Sequence, residues 1–334
     1  MRMIFDPRQS AHAPALEMHN GGWVAHAEVP GRAANIGAAL GATEAPADHG
    51  LASITAIHDP AYVDFLRSAH RRWLEAGREG DAVGYIWPVA RRRDVQLDRI
   101  DAMLGRYSMD AGTPITADTW DAAYWAAQSA LTALDAVLAG DRVAFALCRP
   151  PGHHAGADYL GGYCYLNNAA IAAQAARDAG ATRVAILDVD YHHGNGTQDI
   201  FWNRGDVLFA SIHGDPRIDY PFYWGHADER GEGAGEGATL NLPLPHGTAI
   251  APYLAALDQV LAAIRAFAPD MLIVSFGADT YEADPISHFA IRTQDYAEIA
   301  GAIAKLALPS VIVMEGGYAV DALGANVAGF LSGL

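Results

Sequence analysis

Short apolar runs alternate with longer amphipathic stretches along most of this chain. Several short runs are continuously apolar, such as "RVAILDVD" and "MLIVSFG", as expected of strands covered on both faces. Strands separated by helices are typical of a mainly parallel α/β sheet. The pattern predicts strands at 2–5, 52–57, 142–148, 183–190, 207–213, 271–277 and 310–316.

Amphipathic segments with cap and stop residues lie between these strands. The longest begins after Asp118 or at Thr119, either of which can cap a helix, and stops at Gly140. No repeat, low-complexity tract or linker divides the chain, so we expect one domain over residues 1–334. The predicted helices are 61–77, 119–140, 167–180, 251–267 and 293–307.

Two long irregular segments interrupt this alternation, at 78–117 and 214–237. A loop as long as 78–117 in a compact domain is usually functional, an interface or disordered. The glycine run in the second segment lacks the G-x-G-x-x-G spacing, and no predicted strand precedes it. It therefore does not predict a dinucleotide site.

Composition limits the classes of partner. The chain has 334 residues, 51% of them hydrophobic, and a net charge of −17. That charge argues against nucleic-acid binding, which favours basic patches. It is compatible with a cationic substrate, because a negative field steers cations towards a cleft. An ordinary acidic protein explains the charge equally well.

Cysteine usage and the apolar runs bear on location. Cys148 and Cys164 are too few for a disulfide framework and are expected to be buried free thiols. The start of the chain lacks the apolar core of a signal peptide, and no apolar run approaches the ~18 residues of a membrane span. We therefore expect a cytoplasmic protein with no membrane partner.

Reactive side chains follow four of the predicted strands. Because the carboxyl ends of parallel strands meet at one edge of a sheet, all four sets are expected at one pocket. A lone aspartate at a strand end is usually a cap or turn residue, so the joint occurrence carries the prediction. The residues are His153, His154, Asp188, Asp190, His192, His193, Asp279 and Tyr318.

Three of these residues predict a metal site. Asp190 and His192 are two positions apart, so on a strand they point to the same side. Asp279, from another strand end, completes a set of two carboxylates and an imidazole. Three protein ligands with an open position are typical of a catalytic zinc, which activates water and polarises a carbonyl. The oxygen and nitrogen ligands would also suit Fe²⁺.

The remaining residues suit hydrolysis. The tandem pair His153-His154 could accept and donate a proton near neutral pH. Asp188 could orient one of these imidazoles and Asn195 the other. Tyr318, after the flexible Gly316-Gly317, could donate a hydrogen bond to a developing oxyanion.

The motifs "RPPGHHA", "DVDYHHGNGTQDIF", "SFGADTYEADP" and "EGGY" together resemble the arginase/deacetylase superfamily, specifically the histone-deacetylase-like zinc amidohydrolases. Asn195 and "EGGY" resemble the class II branch. "GGYCYLNNAA", "DPISHF" and the 78–117 segment resemble bacterial acetylpolyamine amidohydrolases. The resemblance implies a single α/β domain with a mainly parallel sheet of roughly eight strands, flanked by helices.

It also implies roles for individual residues. Asp190, His192 and Asp279 match the zinc ligands, and His154 matches the general base and acid, with His153 as its electrostatic partner. Tyr318 matches the carbonyl-polarising tyrosine. Asp188 and Asn195 match the residues that orient the two histidines. The backbone carbonyls of Asp188, Asp190, His192 and Ser211 match a potassium site. Tyr163 and Tyr220 match aromatic residues that line the substrate channel.

One position differs from the sequence pattern of the polyamine branch. There the long loop joins two subunits, so the resemblance implies a homodimer through 78–117, with acidic loop residues meeting the distant ammonium groups of the substrate. Asp101 occupies one such position, but Gly112 stands where a glutamate is expected. Asp110 lies nearby and could replace it.

The expected activity is zinc-dependent hydrolysis of an N-acetylated cationic amine, such as an acetylpolyamine. Acetyl-lysine in proteins, or another N-acyl amide, is the alternative substrate. An arginase-like manganese enzyme would need a second ligand set, and a silent acyl-amine-binding protein would need no intact machinery. Several residues stay without a catalytic role: His193 and His213, and, as packing residues of the channel loops, Tyr223, Trp224, His226 and His288.

Overall fold

The apolar runs form the strands of a parallel sheet. The computed structural model describes residues 1–88 and 95–334. Within these ranges the strands are β1 (Arg2–Ile4), β2 (Leu16–His19), β3 (Gly22–Ala25), β4 (Val143–Ala146), β5 (Val184–Asp188), β6 (Val207–Gly214), β7 (Thr239–Leu244), β8 (Met271–Phe276) and β9 (Ser310–Met314).

The main sheet has the order β1-β4-β9-β8-β5-β6-β7, and every neighbouring pair is parallel. It has seven strands among the described residues, where the family resemblance implied roughly eight. The predicted α/β class with a parallel sheet is confirmed. Strands β5 and β8 are neighbours at the centre, with Asp188 in register with Ser275, so the segments that follow them begin side by side.

Helices cover both faces of this sheet. In the described ranges they are α1 (Gly31–Leu40), α2 (Ala52–Thr55), α3 (Pro60–Glu75), α4 (Ile100–Arg106), α5 (Thr119–Leu138), α6 (Asn168–Asp178), α7 (Asn195–Phe201), α8 (Ile250–Phe267), α9 (Tyr296–Ala304) and α10 (Val320–Ser332).

Alternation along β5 divides the core into two layers. Ala185 and Leu187 pack with α1, α8, α9 and α10 on one face, whereas Val184 and Ile186 pack with α5 and α6 on the other. Successive side chains of a strand point to opposite faces, so a continuously apolar strand supplies both layers. The five predicted helices are present, and Cys148 and Cys164 are buried free thiols as expected.

The segment 78–117 packs partly against a third apolar cluster. Ile100 and Leu104 of α4 lie with α3 and one side of α5 in this cluster. Ala82 and Ile115 form an isolated antiparallel bridge that joins the two ends of the segment. Residues 89–94 of the predicted insertion lie outside the described residues.

Three local predictions were wrong or incomplete. Residues 52–57 contain the short helix α2 rather than a strand, and Ile54 is buried in the third cluster. Strand β7 at the edge of the sheet and the antiparallel hairpin β2–β3 were not anticipated. The new helices α1 and α10 pack against each other on the face opposite α5.

One described helix, α8, is long and apolar enough to cross a membrane by length and composition alone, which the sequence analysis did not anticipate. Its buried residues, including Leu257, Val260 and Ile264, belong to the main core cluster. A helix that presents one apolar stripe to a sheet is typical of a protein core.

Candidate active site

Two adjacent strands deliver the predicted metal ligands to one point. Asp190 and His192 follow β5, and Asp279 follows β8. His192 Nδ1 lies 3.0 Å from Asp279 Oδ2 and 3.5 Å from Asp190 Oδ1. One ligand atom from each of the three residues lies within 4.8 Å of the others. The structure therefore brings together all three residues that the sequence analysis grouped.

Glycines and backbone amides fix the two carboxylates. A Cβ on Gly277 would lie 1.9 Å from Asp190 Oδ2, and one on Gly316 would lie 2.5 Å from Asp279 Oδ2. The Gly316 amide donates to Asp190 Oδ2 at 2.7 Å, and the Tyr191 amide donates to Asp279 Oδ1 at 2.9 Å. Only glycine allows the chain to approach the carboxylates this closely.

The electrostatics of this cluster favour a bound cation. Burial and the neighbouring Asp190 raise the pKa of Asp279 to about 7. Burial opposes ionisation of Asp190 as well, but the rings of His153 and His192 hold its pKa below the ordinary value. Two buried carboxylates repel each other unless a cation lies between them. Two carboxylates and one imidazole form a donor set that suits a divalent metal ion.

The tandem histidines lie beside these ligands and have different partners. His153 Nδ1 donates to Asp188 Oδ2 at 3.0 Å, whereas His154 Nδ1 donates to Asn195 Oδ1 at 2.7 Å. Their ring centroids are 4.0 Å apart. Asn195 Oδ1 accepts the hydrogen carried by His154 Nδ1. The other ring nitrogen of neutral His154, Nε2, therefore carries a lone pair.

The surroundings of the two rings give them different protonation states. Burial and the neighbouring rings of His153 and His192 lower the pKa of His154 well below its ordinary value. Burial also disfavours the charged form of His153, but the carboxylates of Asp190 and Asp188 outweigh it and raise that pKa to about 10. One ring is therefore set up as a neutral proton acceptor and the other as a fixed positive charge.

Tyr318 follows β9 and reaches the same point from a third strand. Its ring lies 5.5 Å from that of Tyr163, and no donor or acceptor among the described residues bonds to its hydroxyl. Burial raises the pKa of this hydroxyl, so it stays protonated as a donor.

Arg32 of α1 holds the segment that carries Tyr318. Its Nε donates to the Gly317 carbonyl at 2.7 Å, and its Nη1 donates to Glu28 Oε1 at 2.7 Å. Its guanidinium lies 4.9 Å from the centre of the Tyr318 ring. Arg32 was not predicted, because one arginine in an alanine-rich helix carries no distinguishing signal.

A cavity of about 510 Å³ opens onto these residues, a size within the range for small-molecule pockets. The described residues that line it include the predicted catalytic His154 and Tyr318, the ligand His192 and the predicted channel aromatics Tyr163 and Tyr220.

The two predicted acidic channel residues differ in position. Asp110 lines the cavity, but its carboxylate already accepts from the Tyr220 hydroxyl at 2.8 Å and from the Gly162 amide at 2.7 Å. Asp101 does not line the cavity of its own chain. Its carboxylate is paired with Arg78 at 2.9 Å and Arg99 at 2.8 Å, and its role as a residue of the substrate channel stays a prediction.

Glu17 is an acidic residue of the cavity that the sequence analysis missed. It lies on β2, its Oε1 accepts from the Tyr163 hydroxyl at 3.1 Å, and its buried Oε2 has no hydrogen-bond partner among the described residues. Burial raises the pKa of Glu17 to about 7. The turn His19-Asn20-Gly21-Gly22 contains Asn-Gly, a strong hairpin signal, and could have located β2.

The remaining histidines lie either in the protein core or at the rim of the cavity. His193 is buried and its Nε2 lies 3.1 Å from Asn241 Oδ1, while His213 Nε2 donates to the Gly225 carbonyl at 2.8 Å. Neither lines the cavity. His288 does line it, unlike Tyr223, Trp224 and His226.

This arrangement has counterparts in known proteins. A model of the histone deacetylase domain matches residues 26–334, which is most of the chain. The chain belongs to the histone deacetylase family. Enzymes of this family are metal-dependent, in agreement with the cluster of Asp190, His192 and Asp279.

Several members of the histone deacetylase family are similar over their full length. Acetylpolyamine amidohydrolase 1 of Pseudomonas aeruginosa is 51% identical, covering 100% of this chain and 98% of the relative. The acetylpolyamine amidohydrolase of Mycoplana ramosa is 45% identical, covering 100% and 99%. The crystal structure of acetylpolyamine aminohydrolase from Burkholderia pseudomallei has a TM-score of 0.96 and 45% identity, covering 100% of this chain and 98% of that one.

Proposed function

We propose that this protein hydrolyses the amide bond of N-acetylated polyamines or similar cationic acyl-amines, releasing acetate and the free amine. The observation that carries the proposal is the full-length similarity to acetylpolyamine amidohydrolases, at 45% to 51% identity. The negative field of a chain with net charge −17 would favour the approach of a cationic substrate.

Asp190, His192 and Asp279 are the proposed ligands of one zinc ion, with Fe²⁺ as the alternative. Bound zinc supplies Lewis acidity, which polarises the substrate carbonyl and lowers the pKa of a water molecule. The mixed oxygen and nitrogen donor set supports either metal.

The proposed reaction uses His154 and Tyr318 around the scissile amide. His154 Nε2 removes a proton from the attacking water as the new carbon–oxygen bond forms. The Tyr318 hydroxyl donates a hydrogen bond to the carbonyl oxygen as negative charge develops there. His154 then gives the proton to the leaving nitrogen as the carbon–nitrogen bond breaks. His153 stays charged, and Asp188 and Asn195 hold the two rings in orientation.

A structural potassium ion is also part of the proposal, held by backbone carbonyls of Asp188, Asp190, His192 and Ser211. Asp188 and Ser211 are paired in register on β5 and β6. Asp190 and His192 are buried, and their carbonyls accept no hydrogen bond from the donors that the structure describes. Buried carbonyls need a partner, and a cation would provide one.

Recognition of the charged end of the substrate is assigned to Glu17 and Tyr163. Glu17 Oε2 accepts no hydrogen bond from the donors in the described ranges and lies 3.8 Å from His26 Nε2. Glu17 lines the cavity, where a carboxylate would pair with an ammonium group. Asp110 is proposed to hold Tyr220 and the Gly162 amide in place rather than to bind substrate directly.

We also propose one domain with an insertion at about 78–117 through which two subunits associate. The described parts of this insertion expose large apolar side chains: Tyr85 at 67%, Ile86 at 56% and Val95 at 42%. Exposed apolar patches of this kind mark interaction sites, which supports a homodimer. Two buried free thiols and no disulfide in the described ranges support a reducing, cytoplasmic location.

The substrate assignment is tested by comparing turnover of acetylputrescine, acetylspermine and an acetyl-lysine peptide on metal-loaded protein. We expect higher kcat/KM for the acetylpolyamines. A strong preference for the peptide would instead support the alternative, a deacetylase of acetyl-lysine in proteins.

The site assignment is tested with Asp279→Ala and Tyr318→Phe. We expect Asp279→Ala to abolish hydrolysis and Tyr318→Phe to lower kcat by roughly 10²–10³, the usual effect of removing one oxyanion donor. Tyr223→Phe is the matched control, because Tyr223 is 81% exposed and lies outside the cavity lining. Unchanged turnover in the first two variants would overturn the assignment.

A further inference from the structure

Another group of potential metal ligands, separate from Asp190, His192 and Asp279, lies at the mouth of the cavity. Asp219 comes from the loop after β6, His246 from the turn after β7, and His288 from the loop after β8. Asp219 and His288 line the cavity, and both histidines are exposed. None of the three belongs to the catalytic set described above.

The three side chains converge on one point. His246 Nε2 lies 2.7 Å from Asp219 Oδ2, and the rings of His246 and His288 are 4.3 Å apart. One ligand atom from each of the three residues lies within 4.8 Å of the others. Zinc binds such atoms at about 2.0–2.2 Å, so small rotations of two exposed rings would complete the coordination.

Backbone contacts hold these loops together without the metal. The Gly247 amide donates to the His288 carbonyl at 2.7 Å, and the Ala290 amide donates to the Thr248 carbonyl at 2.8 Å. These two bonds fix the two histidine-bearing segments side by side. The site is therefore largely formed before an ion arrives.

A buried tyrosine orients the carboxylate of the cluster. The Tyr191 hydroxyl donates to Asp219 Oδ2 at 2.7 Å, which is the arrangement of an outer partner that fixes a ligating group. Tyr191 also donates its amide to Asp279. The mouth cluster and the catalytic cluster are thus joined through one residue.

A simple surface ion pair accounts for only part of this arrangement. A pair between Asp219 and protonated His246 contributes little at an exposed position. It does not account for the second imidazole, the ring of His288, which lies 4.3 Å from that of His246. Two neutral imidazoles and one carboxylate around an open position are instead a common set for a transition-metal ion.

We propose that Asp219, His246 and His288 bind a second, exchangeable transition-metal ion of the zinc class at the mouth of the cavity. A positive ion there opposes the approach of a cationic substrate, so excess zinc inhibits the enzyme by raising KM. The binding site stands on its own geometry, while the kinetic effect rests on the proposed function.

Zinc binding is measured first, by equilibrium dialysis of the full-length protein against Zn²⁺ followed by elemental analysis. We expect two zinc ions per chain in the parent and loss of one in His246→Ala and in His288→Ala. His70→Ala, a substitution in α3 outside the cavity lining, should keep both. One zinc in the parent, or two in His246→Ala, would overturn the site.

Kinetics then test the effect on substrate. In the parent, excess zinc should raise KM for acetylspermine without lowering kcat, and should leave N-butylacetamide, a neutral amide, unaffected. His246→Ala should lose the rise in KM. Equal inhibition of the parent and His246→Ala would overturn the regulatory role. If acetylspermine is not hydrolysed at all, the proposed function fails, and the zinc stoichiometry still decides the site.

Discussion

His153 and His154 show how one residue type acquires two chemical roles. Both rings are buried and adjacent, yet one is hydrogen-bonded to a carboxylate and the other to an amide oxygen. The carboxylates of Asp190 and Asp188 favour a charged His153, whereas burial and the neighbouring rings favour a neutral His154. The burial and the charges around each ring, not the histidine itself, decide which ring is the proton acceptor.

Replacing Asn195 by aspartate tests whether His154 acts as the neutral proton acceptor. A carboxylate at His154 Nδ1 would favour the protonated ring and raise the pKa of His154. The base works only when deprotonated, so the acidic limb of kcat/KM against pH should move to higher pH. Asn195→Ala, which adds no charge, should lower kcat without that upward shift. An unmoved limb in the aspartate variant would contradict the role of His154 as base.

We expect Glu17 to make substrate binding depend on pH. Its pKa is raised to about 7 by burial, so the carboxylate is protonated and loses its charge as the pH falls below that value. The KM for acetylputrescine should therefore rise as pH falls through 7. Glu17→Gln should show the high KM at every pH, with no such rise. The KM for neutral N-butylacetamide should be the same in both proteins.

The sequence predicted the site residues that belong to a recognisable motif. It did not predict the residues of the site that lie outside any motif. Asp190 and His192 belong to a motif that directly follows an apolar strand, and the pair lies just beyond the end of that strand at Asp188. Glu17 and Arg32 lie in segments that the sequence left unassigned. Their effect depends on contacts with Tyr163 and Gly317, far away along the chain, which no local pattern reports.

At the scale of elements, the positions of the strand ends matter more for the active site than the lengths of the strands. Strands β5, β8 and β9 end beside one another, and Gly277 and Gly316 allow their following segments to pass close to the carboxylates. The site therefore depends on backbone shape as well as on its ligands.

Gly277→Ala tests this dependence. The added methyl would lie 1.9 Å from Asp190 Oδ2, so Asp190 must move. We expect zinc affinity to fall about tenfold or more, measured by competition with a chelator. Gly301→Ala in α9 is the control, because its nearest neighbour would be 3.9 Å away. It should bind zinc normally and stabilise the fold by about 0.4–1 kcal/mol.

Continuous apolar strands were predicted well, and elements with weak patterns were not. The run at 52–57 is rich in isoleucine and threonine, which favour strands, but packing of Ile54 in the third cluster places it in a short helix. Strand β7 contains Pro243, which argues against a central strand. It is tolerated because β7 lies at the edge of the sheet.

At the scale of the whole molecule, the parallel sheet and its two helical layers followed from the alternation of elements. The set of seven strands in the described ranges did not, because 52–57 contains a short helix and the edge strand β7, with Pro243, was not anticipated. The net charge of −17 acts over the same scale. It creates a long-range field that attracts a cation before any contact forms.

Salt should therefore affect charged and neutral substrates differently. Raising ionic strength from about 0.01 M to about 1 M shortens the Debye length from roughly 30 Å to 3 Å. The kcat/KM for acetylspermine should fall about tenfold, within the range for electrostatic steering. N-butylacetamide should lose little activity in the same titration. A similar loss for both substrates would show that the field plays no part.

The candidate active site is assembled from distant parts of the chain, as the contacts of His153 with Asp188 and of His192 with Asp279 show. A peptide cut from one of these strand ends would carry functional groups but no working site. The smallest transferable catalytic unit is the folded sheet itself. The hairpin that bears Glu17 and the 78–117 insertion lie outside that unit, so substrate preference could diverge among relatives by exchange of these segments while the hydrolytic chemistry stays fixed.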